Sequence, residues 1–375
     1  MTAWTREQAA AAAATPDLRL PVIAAADVVP IDAERDLWDM WQIMRRDGST
    51  AMVDGRAWWF FLAVPKMHDP EARHDRARIR LYSRGADGWR DHGDAFPDGF
   101  SPGTREWSGS AVLEDDGVTL TMHFTASGWR SGGPHFAQRL FVTSGRFEDG
   151  HLSGWSTPVE TAVADGMLYR IADEDMPTDD RIKGFRDPGY FRDPGTGGEY
   201  ILFTGSAPDV ADVHDGIIGL AMRKGDGWSL LPPILTAIGV NSELERPHIV
   251  TRDGLYYLFW STQAKRFAPG IGAPTGLYGM VAETVEGPWR PLNGSGLVAG
   301  NPVAEPCQAY CWWVTGEGEV ISFVDYWGLQ GRSTADDLTL RRERFGGTAA
   351  PMFQLELGGD TTRILPSRNE GTEDA

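Results

Sequence analysis

Short apolar or alternating runs, each closed off by a turn signal, recur along this chain and leave it little choice of secondary structure. They lie at residues 57–64 (AWWFFLAV), 79–83, 118–125 (VTLTMHFT), 199–204 (EYILFT), 255–261 (LYYLFWS) and 319–324 (EVISFV). Between them stand Asp115-Asp116-Gly117, Asp149-Gly150, Gly197-Gly198, Asp226-Gly227, Asp253-Gly254 and Gly316-Glu317-Gly318. Aromatic and β-branched runs bounded by such turns form antiparallel strands joined by hairpins. Only the N-terminus departs from this pattern. An alanine run, Ala9 to Ala14, follows Thr5-Arg6-Glu7-Gln8 and reads as a short helix capped by Thr5, within a helical extension over residues 1–20. No helical period persists beyond it, so the chain is expected to be all-β.

A looser repeat underlies the strands. Short polar–aromatic motifs recur before strand pairs: Trp38-Asp39, Trp107-Ser108-Gly109, Arg186-Asp187-Pro188, Glu245-Arg246-Pro247 and Gln308-Ala309-Tyr310. Radially repeated blades of four antiparallel strands need roughly 40–50 residues each, and more with long loops. Motifs recurring at about that spacing predict a five-bladed β-propeller whose innermost strands each bring one polar cluster to a central axis. A β-sandwich would use the same strands but would not explain polar motifs recurring once per unit. No domain boundary interrupts the chain. One catalytic unit is expected over residues 1–366, followed by a polar, acidic tail at 367–375 that is expected to be disordered.

Composition narrows the partners. The net charge of −18, with no basic run to offset it, repels a phosphate backbone, which argues against nucleic acid and anionic membranes. Fifteen tryptophans offer faces for stacking sugar rings, although any one of them is more often a core residue. Cys307 and Cys311, the only two cysteines, lack a CxxC spacing and read as two buried small residues on one strand face. No secretory signal or membrane span is visible, so a cytoplasmic protein or leaderless export is expected. Oligomeric state is not legible.

Carboxylates carry the candidate chemistry. Glycoside cleavage commonly uses two, one attacking the anomeric carbon or positioning water and one protonating the leaving oxygen. Asp39 lies between Trp38 and Trp41, where partial desolvation suits a nucleophile; an Asp capping a turn between two core tryptophans would look the same. Asp187 precedes Pro188, which biases it toward extended backbone, and by itself reads equally as the partner of Arg186 in a structural pair. Glu243 and Glu245 would share a face, and one carboxylate beside another raises a carboxyl pKa, keeping a general acid protonated near neutrality. A solvated acidic edge is the alternative.

Together these segments resemble one family. Trp38-Asp39-Met40-Trp41, Glu106-Trp107-Ser108-Gly109-Ser110, Phe185-Arg186-Asp187-Pro188, Gly239-Val240-Asn241 through Glu245-Arg246-Pro247-His248, and the run Pro291-Leu292-Asn293-Gly294-Ser295-Gly296-Leu297 are similar, in order, to glycoside hydrolase family 68. That family comprises levansucrases, inulosucrases and β-fructofuranosidases. The resemblance implies a five-bladed propeller and a retaining transfer of fructosyl groups from sucrose to sugar acceptors or water. It places Asp39 on the nucleophile, Asp187 on the transition-state stabiliser and Glu245 on the general acid/base. Trp38, Trp107 and Ser108 match residues lining the fructosyl subsite. Arg186, Glu243 and Tyr310 match groups around the glucosyl or acceptor position.

The departures fall on the acceptor side. Family members usually carry Arg or His where this chain has Gln263, and Ser-His where it has Cys311-Trp312. Both changes favour a hydrolase or short-chain transferase as the alternative to a levan polymerase. A non-catalytic sugar-binding propeller is the remaining reading. Some members build a calcium site with an Asp three residues before the acid/base; Ser242 stands there, so neither a metal nor any other cofactor is expected.

Overall fold

The computed structural model describes residues 1–174 and 182–365; the expected tail at 367–375 lies outside the described residues. The chain is all-β and built from successive antiparallel meanders. The first runs through Arg35–Met44, Arg56–Pro65, Arg78–Gly85 and Gly88–Asp94. The second follows through Arg105–Leu113, Thr119–Ser127, Gln138–Glu148 and His151–Ser153. A short parallel pairing, Ile43 with Ala111 and Met44 with Val112, fuses these two into one sheet. The third comprises Phe185–Arg192, Glu199–Ser206, Gly216–Lys224 and Gly227–Thr236. Glu245–Arg252, Leu255–Thr262, Gly276–Ala282 and Leu297–Gly300 make the next. Ala309–Val314, Glu319–Val324, Phe353–Gly358 and Thr361–Leu365 make the last.

Every run singled out in the sequence lies in or overlaps one of these strands. Their dense aromatic content explains why: Trp58, Trp59, Phe60, Phe61 and Leu62 are all buried, so this strand packs on both faces rather than alternating. The opening strand of each meander touches that of the next, and the last returns to the first, nearly closing a barrel around an axis.

The N-terminal segment is part of this architecture. Its helix, Arg6–Ala11, is capped by Thr5, as the sequence predicts, and the structure adds a reciprocal box with Gln8. Ahead of it, Thr2–Ala3 pairs in parallel with Gly227–Thr236. Trp4 is buried against Trp260, Phe267 and Tyr278, and its indole N–H donates to the Ser295 carbonyl at 3.0 Å. One short helix was not expected, Leu338–Arg344, capped by Asp337. At seven residues it is too short to show a helical period. The cysteine expectation fails in part. Cys311 is buried on a strand, but Cys307 is exposed in the loop before it, and the two form no disulfide. Among the described residues no helix is long and apolar enough to cross a membrane.

Candidate active site

Each opening strand is interrupted by a β-bulge near its start. Pairing slips between Trp38 and Trp41, between Trp107 and Gly109, between Arg186 and Gly189, between Glu245 and His248, and between Tyr310 and Trp313. A bulge bends the strand and re-aims the side chains beside it. Because it recurs at the same place, the residues flanking it fall into two levels. Trp38, Trp107, Arg186, Glu245 and Tyr310 are the last residues in register. Asp39, Ser108, Asp187, Arg246 and Cys311 come next, inside the bulge. The sequence motifs are therefore the bulges themselves.

The second level is backbone-strained. Asp39 has φ 45°, Asp187 61°, Arg246 56° and Cys311 53°. Asp tolerates the left-handed region; Arg and Cys adopt it rarely, and such outliers persist only where the surroundings enforce them. Asp187 thus corrects an expectation. Pro188 disfavours the right-handed helical region before it, but the bulge takes Asp187 left-handed rather than extended. In the second meander neither Ser108 nor Gly109 is left-handed; there Gly109 answers a close approach of the partner strand instead. A Cβ there would lie 1.9 Å from the His123 carbonyl oxygen.

Asp187 is buried and fully held. Ser108 Oγ donates to its Oδ1 at 2.6 Å, Thr204 Oγ1 donates to its Oδ2 at 3.0 Å, and Arg186 Nε stands 3.6 Å from Oδ2. Asp39 is less constrained: its Oδ1 is enclosed and makes no hydrogen bond. Burial pushes the Asp39 carboxyl up, opposed by the Arg246 guanidinium and by a hydrogen bond from the Cys311 thiol. Arg246 is itself anchored, its Nη2 donating to the Met40 carbonyl at 2.9 Å while its charge lies over the rings of Trp41 and Trp313.

Arg186 joins the acidic groups. Its Nη2 donates to Glu243 Oε1 and, at 2.9 Å, to Glu245 Oε1, and Tyr310 O–H donates to Glu245 Oε2. Glu245 is pushed up to about 7, by burial first and then by the Glu243 charge, against the pull of Arg186. Its neighbour moves the other way. Despite burial, the cations of Arg266 and Arg186 hold Glu243 below the usual carboxylate range. Two adjacent carboxyl groups with pKa values driven apart give one proton carrier and one fixed charge.

Apolar and aromatic surfaces enclose this cluster. Trp38 is buried with the His74 ring edge-on to it, and Trp107 Nε1–H donates to the His74 carbonyl at 3.3 Å. Burial and the adjacent Arg73 hold the His74 imidazole down at about 3, so it is neutral. The remaining sequence candidate, Gln263, caps the turn after strand Leu255–Thr262, and its side-chain oxygen is enclosed without a hydrogen bond. A separate hollow at the far ends of the opening strands, lined by Gln42, Tyr190, His248 and Trp313, contains none of the candidate carboxylates.

Sequence reasoning missed Arg246, Arg266 and Asp325, and it took Cys311 only as a departure on the acceptor side, whereas its thiol bonds Asp39. Asp325 follows strand Glu319–Val324; burial raises its carboxyl to about 7, and it feels the charges of Arg73, Glu71, Lys265 and Asp39. Arg246 had a visible signal, since it sits inside the Glu-Arg-Pro motif. Arg266 and Asp325 had none.

The family profile described as Levansucrase/Invertase matches residues 1–216 and 207–372. A levansucrase of Erwinia amylovora is 32% identical, over 99% of this chain and 95% of its own length. An inulosucrase from Halalkalicoccus jeotgali, solved bound to kestose, superposes with a TM-score of 0.87 at 36% identity, covering 100% of this chain and 99% of that one. A levansucrase from Gluconacetobacter diazotrophicus superposes with a TM-score of 0.82 at 25% identity, covering 97% of this chain and 89% of that one.

Proposed function

The chain belongs to the levansucrase/invertase family, and from that premise we propose that its axial cluster splits sucrose by double displacement, with Asp39 as nucleophile, Asp187 as transition-state stabiliser and Glu245 as acid/base. The protein is a fructosyltransferase that acts on sucrose. Asp39 attacks the fructosyl anomeric carbon. The bond to the glucosyl oxygen breaks, and that oxygen takes the Glu245 proton and leaves as glucose. An acceptor hydroxyl or water then gives its proton to the Glu245 carboxylate and attacks the same carbon. The ester to Asp39 breaks, and two inversions give net retention. Asp187 faces the positive charge that develops on the sugar ring, in a site where low polarity magnifies its effect.

One observation carries the reading. The bulges bring Asp39, Asp187 and Glu245 onto adjacent levels around one axis, with Glu245 at about 7 and so able both to give and to take a proton near neutrality. Trp38, Trp107 and Ser108 then serve the fructosyl unit, and Arg186, Glu243, Gln263 and Tyr310 the glucosyl or acceptor side. The meanders support a five-bladed propeller forming a single catalytic unit. Asp39→Ala and Glu245→Ala variants with unchanged circular dichroism should release no glucose from sucrose. Undiminished turnover in either would overturn these roles.

A second reading keeps the chemistry and changes the acceptor. Gln263 and Trp312 replace charged or imidazole groups usual in the family, which favours water or a short sugar over a growing polymer. Equal release of glucose and free fructose marks hydrolysis, and a fructose deficit marks transfer. The sugar acceptors implied by the relatives' names are the partners to test first.

A further inference from the structure

The cation that pins the far side of Glu243 belongs to neither level of the axial cluster. Arg266 ends the turn Ala264–Arg266, which follows strand Leu255–Thr262. That turn is locked to the segment carrying Glu243. Ser242 N–H donates to the Arg266 carbonyl at 3.0 Å, and Asn241 bridges Phe267. Asn241 in turn holds both pieces, its Nδ2 donating to Thr262 Oγ1 at 3.0 Å and its Oδ1 accepting from Glu243 N–H at 2.7 Å. With both backbones fixed, Arg266 Nε lies 2.6 Å from Glu243 Oε2.

The two glutamates are therefore unequally served. Among the described residues Glu243 is paired with both Arg266 and Arg186, whereas Glu245 is paired with Arg186 and hydrogen-bonded by the Tyr310 hydroxyl. Lys265 also faces Glu243, and Asp187 faces Glu245. His74, across Arg186 and Lys265, is neutral and adds no charge. Without Arg266, two buried carboxylates of like charge would compete for one guanidinium, and a single proton would divide between them.

We propose that Arg266 is a positioning residue that decides which of the two glutamates carries the catalytic proton, by holding Glu243 ionised so that Glu245 takes it. This rests on Glu245 being the acid/base. Arg266 also supplies, three residues later in the chain, the positive charge that Gln263 lacks. Its role is to act through Glu243; it is not a contact for the glucosyl unit.

The test is the pH dependence of kcat and KM for glucose release from sucrose, measured on the purified full chain as wild type, Arg266→Met, Arg266→Lys and Glu245→Gln. In Arg266→Met, kcat near neutrality should fall about tenfold, because part of the enzyme holds its proton on Glu243. Activity should recover toward acid, where both glutamates are protonated, so the optimum moves to lower pH. KM should stay within about twofold, since no substrate contact is lost. Arg266→Lys retains the charge and should keep the wild-type profile and thermal stability, which separates loss of charge from loss of fold.

A higher KM in Arg266→Met with an unchanged pH optimum would make Arg266 a substrate contact and overturn the proposal. So would an unchanged profile, or a Lys variant that is folded but behaves like Met. Should Arg266→Met lose the fold, Arg266→Lys and Arg266→Gln decide instead: the proposal fails if their optima coincide. Glu245→Gln guards the premise. If it turns over freely, the acid/base assignment fails; if it is inactive while the Arg266 variants are unshifted, only the present proposal fails.

Discussion

Removing the Tyr310 hydroxyl should widen the pH range of this enzyme while slowing it. The Tyr310 O–H donates to Glu245 Oε2, and a donor to a carboxylate stabilises its ionised form. The bond therefore holds the Glu245 pKa down, against the burial and the Glu243 charge that push it up to about 7. Hydrogen bonds to charged groups are worth about 1.5–3 kcal/mol, and about 1.4 kcal/mol corresponds to one pKa unit. Tyr310→Phe should then raise Glu245 by about one unit, to roughly 8. At about pH 8 the protonated fraction climbs from about a tenth to about a half, so activity relative to each enzyme's own plateau increases about fivefold. Absolute kcat should drop, since the carboxyl loses one of the two groups that orient it. Initial rates of glucose release at saturating sucrose, taken from about pH 5 to 9 on both proteins, give the comparison. The sign is the informative part. A basic limb that stays in place, or moves to lower pH, would falsify the claim that Tyr310 acts on the ionised form of Glu245.

Other perturbations test the supports of the remaining groups. Ser108→Ala and Thr204→Val each remove one hydroxyl from Asp187 and should each lower kcat about tenfold, with a double variant losing less than the product because both act through one carboxylate. Strict multiplication of the two losses would argue that they act separately. Cys311→Ser offers Asp39 a stronger donor than the thiol, which should lower the Asp39 pKa and move the acid limb of kcat/KM to lower pH; a limb displaced upward would contradict the contact. Gly109→Ala puts a methyl group 1.9 Å from a strand carbonyl and should cost more than about 3 kcal/mol. A thermal unfolding midpoint near the wild type's would show that this bulge opens easily.

What the sequence disclosed, and what it withheld, follows from the range of each interaction. Strands such as Arg56–Pro65 and Leu255–Thr262 were legible because their aromatic residues and flanking turns are local signals. Trp38, Trp107, Arg186, Glu245 and Tyr310 were legible as recurring motifs, but their shared level in the structure was not. A bulge is a mismatch between two strands, and neither strand alone records it. For the same reason the rule for residues before proline misjudged Asp187, whose backbone is set by the slip between its strand and Glu199–Ser206. Gln263 shows the limit from another side. Position by position it reads as a lost charge, whereas the pairing of Asn241 with Phe267 brings the Arg266 charge to Glu243.

The two levels also fit the proposed roles, in which the acid/base is a glutamate placed one residue earlier in its strand than the two aspartates are in theirs. Asp39 and Asp187 sit inside their bulges, where a left-handed backbone turns a short side chain toward the axis. A nucleophile and a charge stabiliser must hold one position, and a short arm on a strained, over-determined backbone leaves little freedom. Glu245 stands just before its bulge, in register with Ser261, and spans the difference with one more methylene. A proton carrier must serve the departing oxygen and then the incoming one, so reach is useful to it. Its orientation is supplied from outside, by Arg186 and Tyr310 on the same level. In the bulge position of that fourth strand stands Arg246, whose charge faces Asp39. The strand proposed to supply the proton therefore also supplies the cation that opposes the burial raising the Asp39 carboxyl.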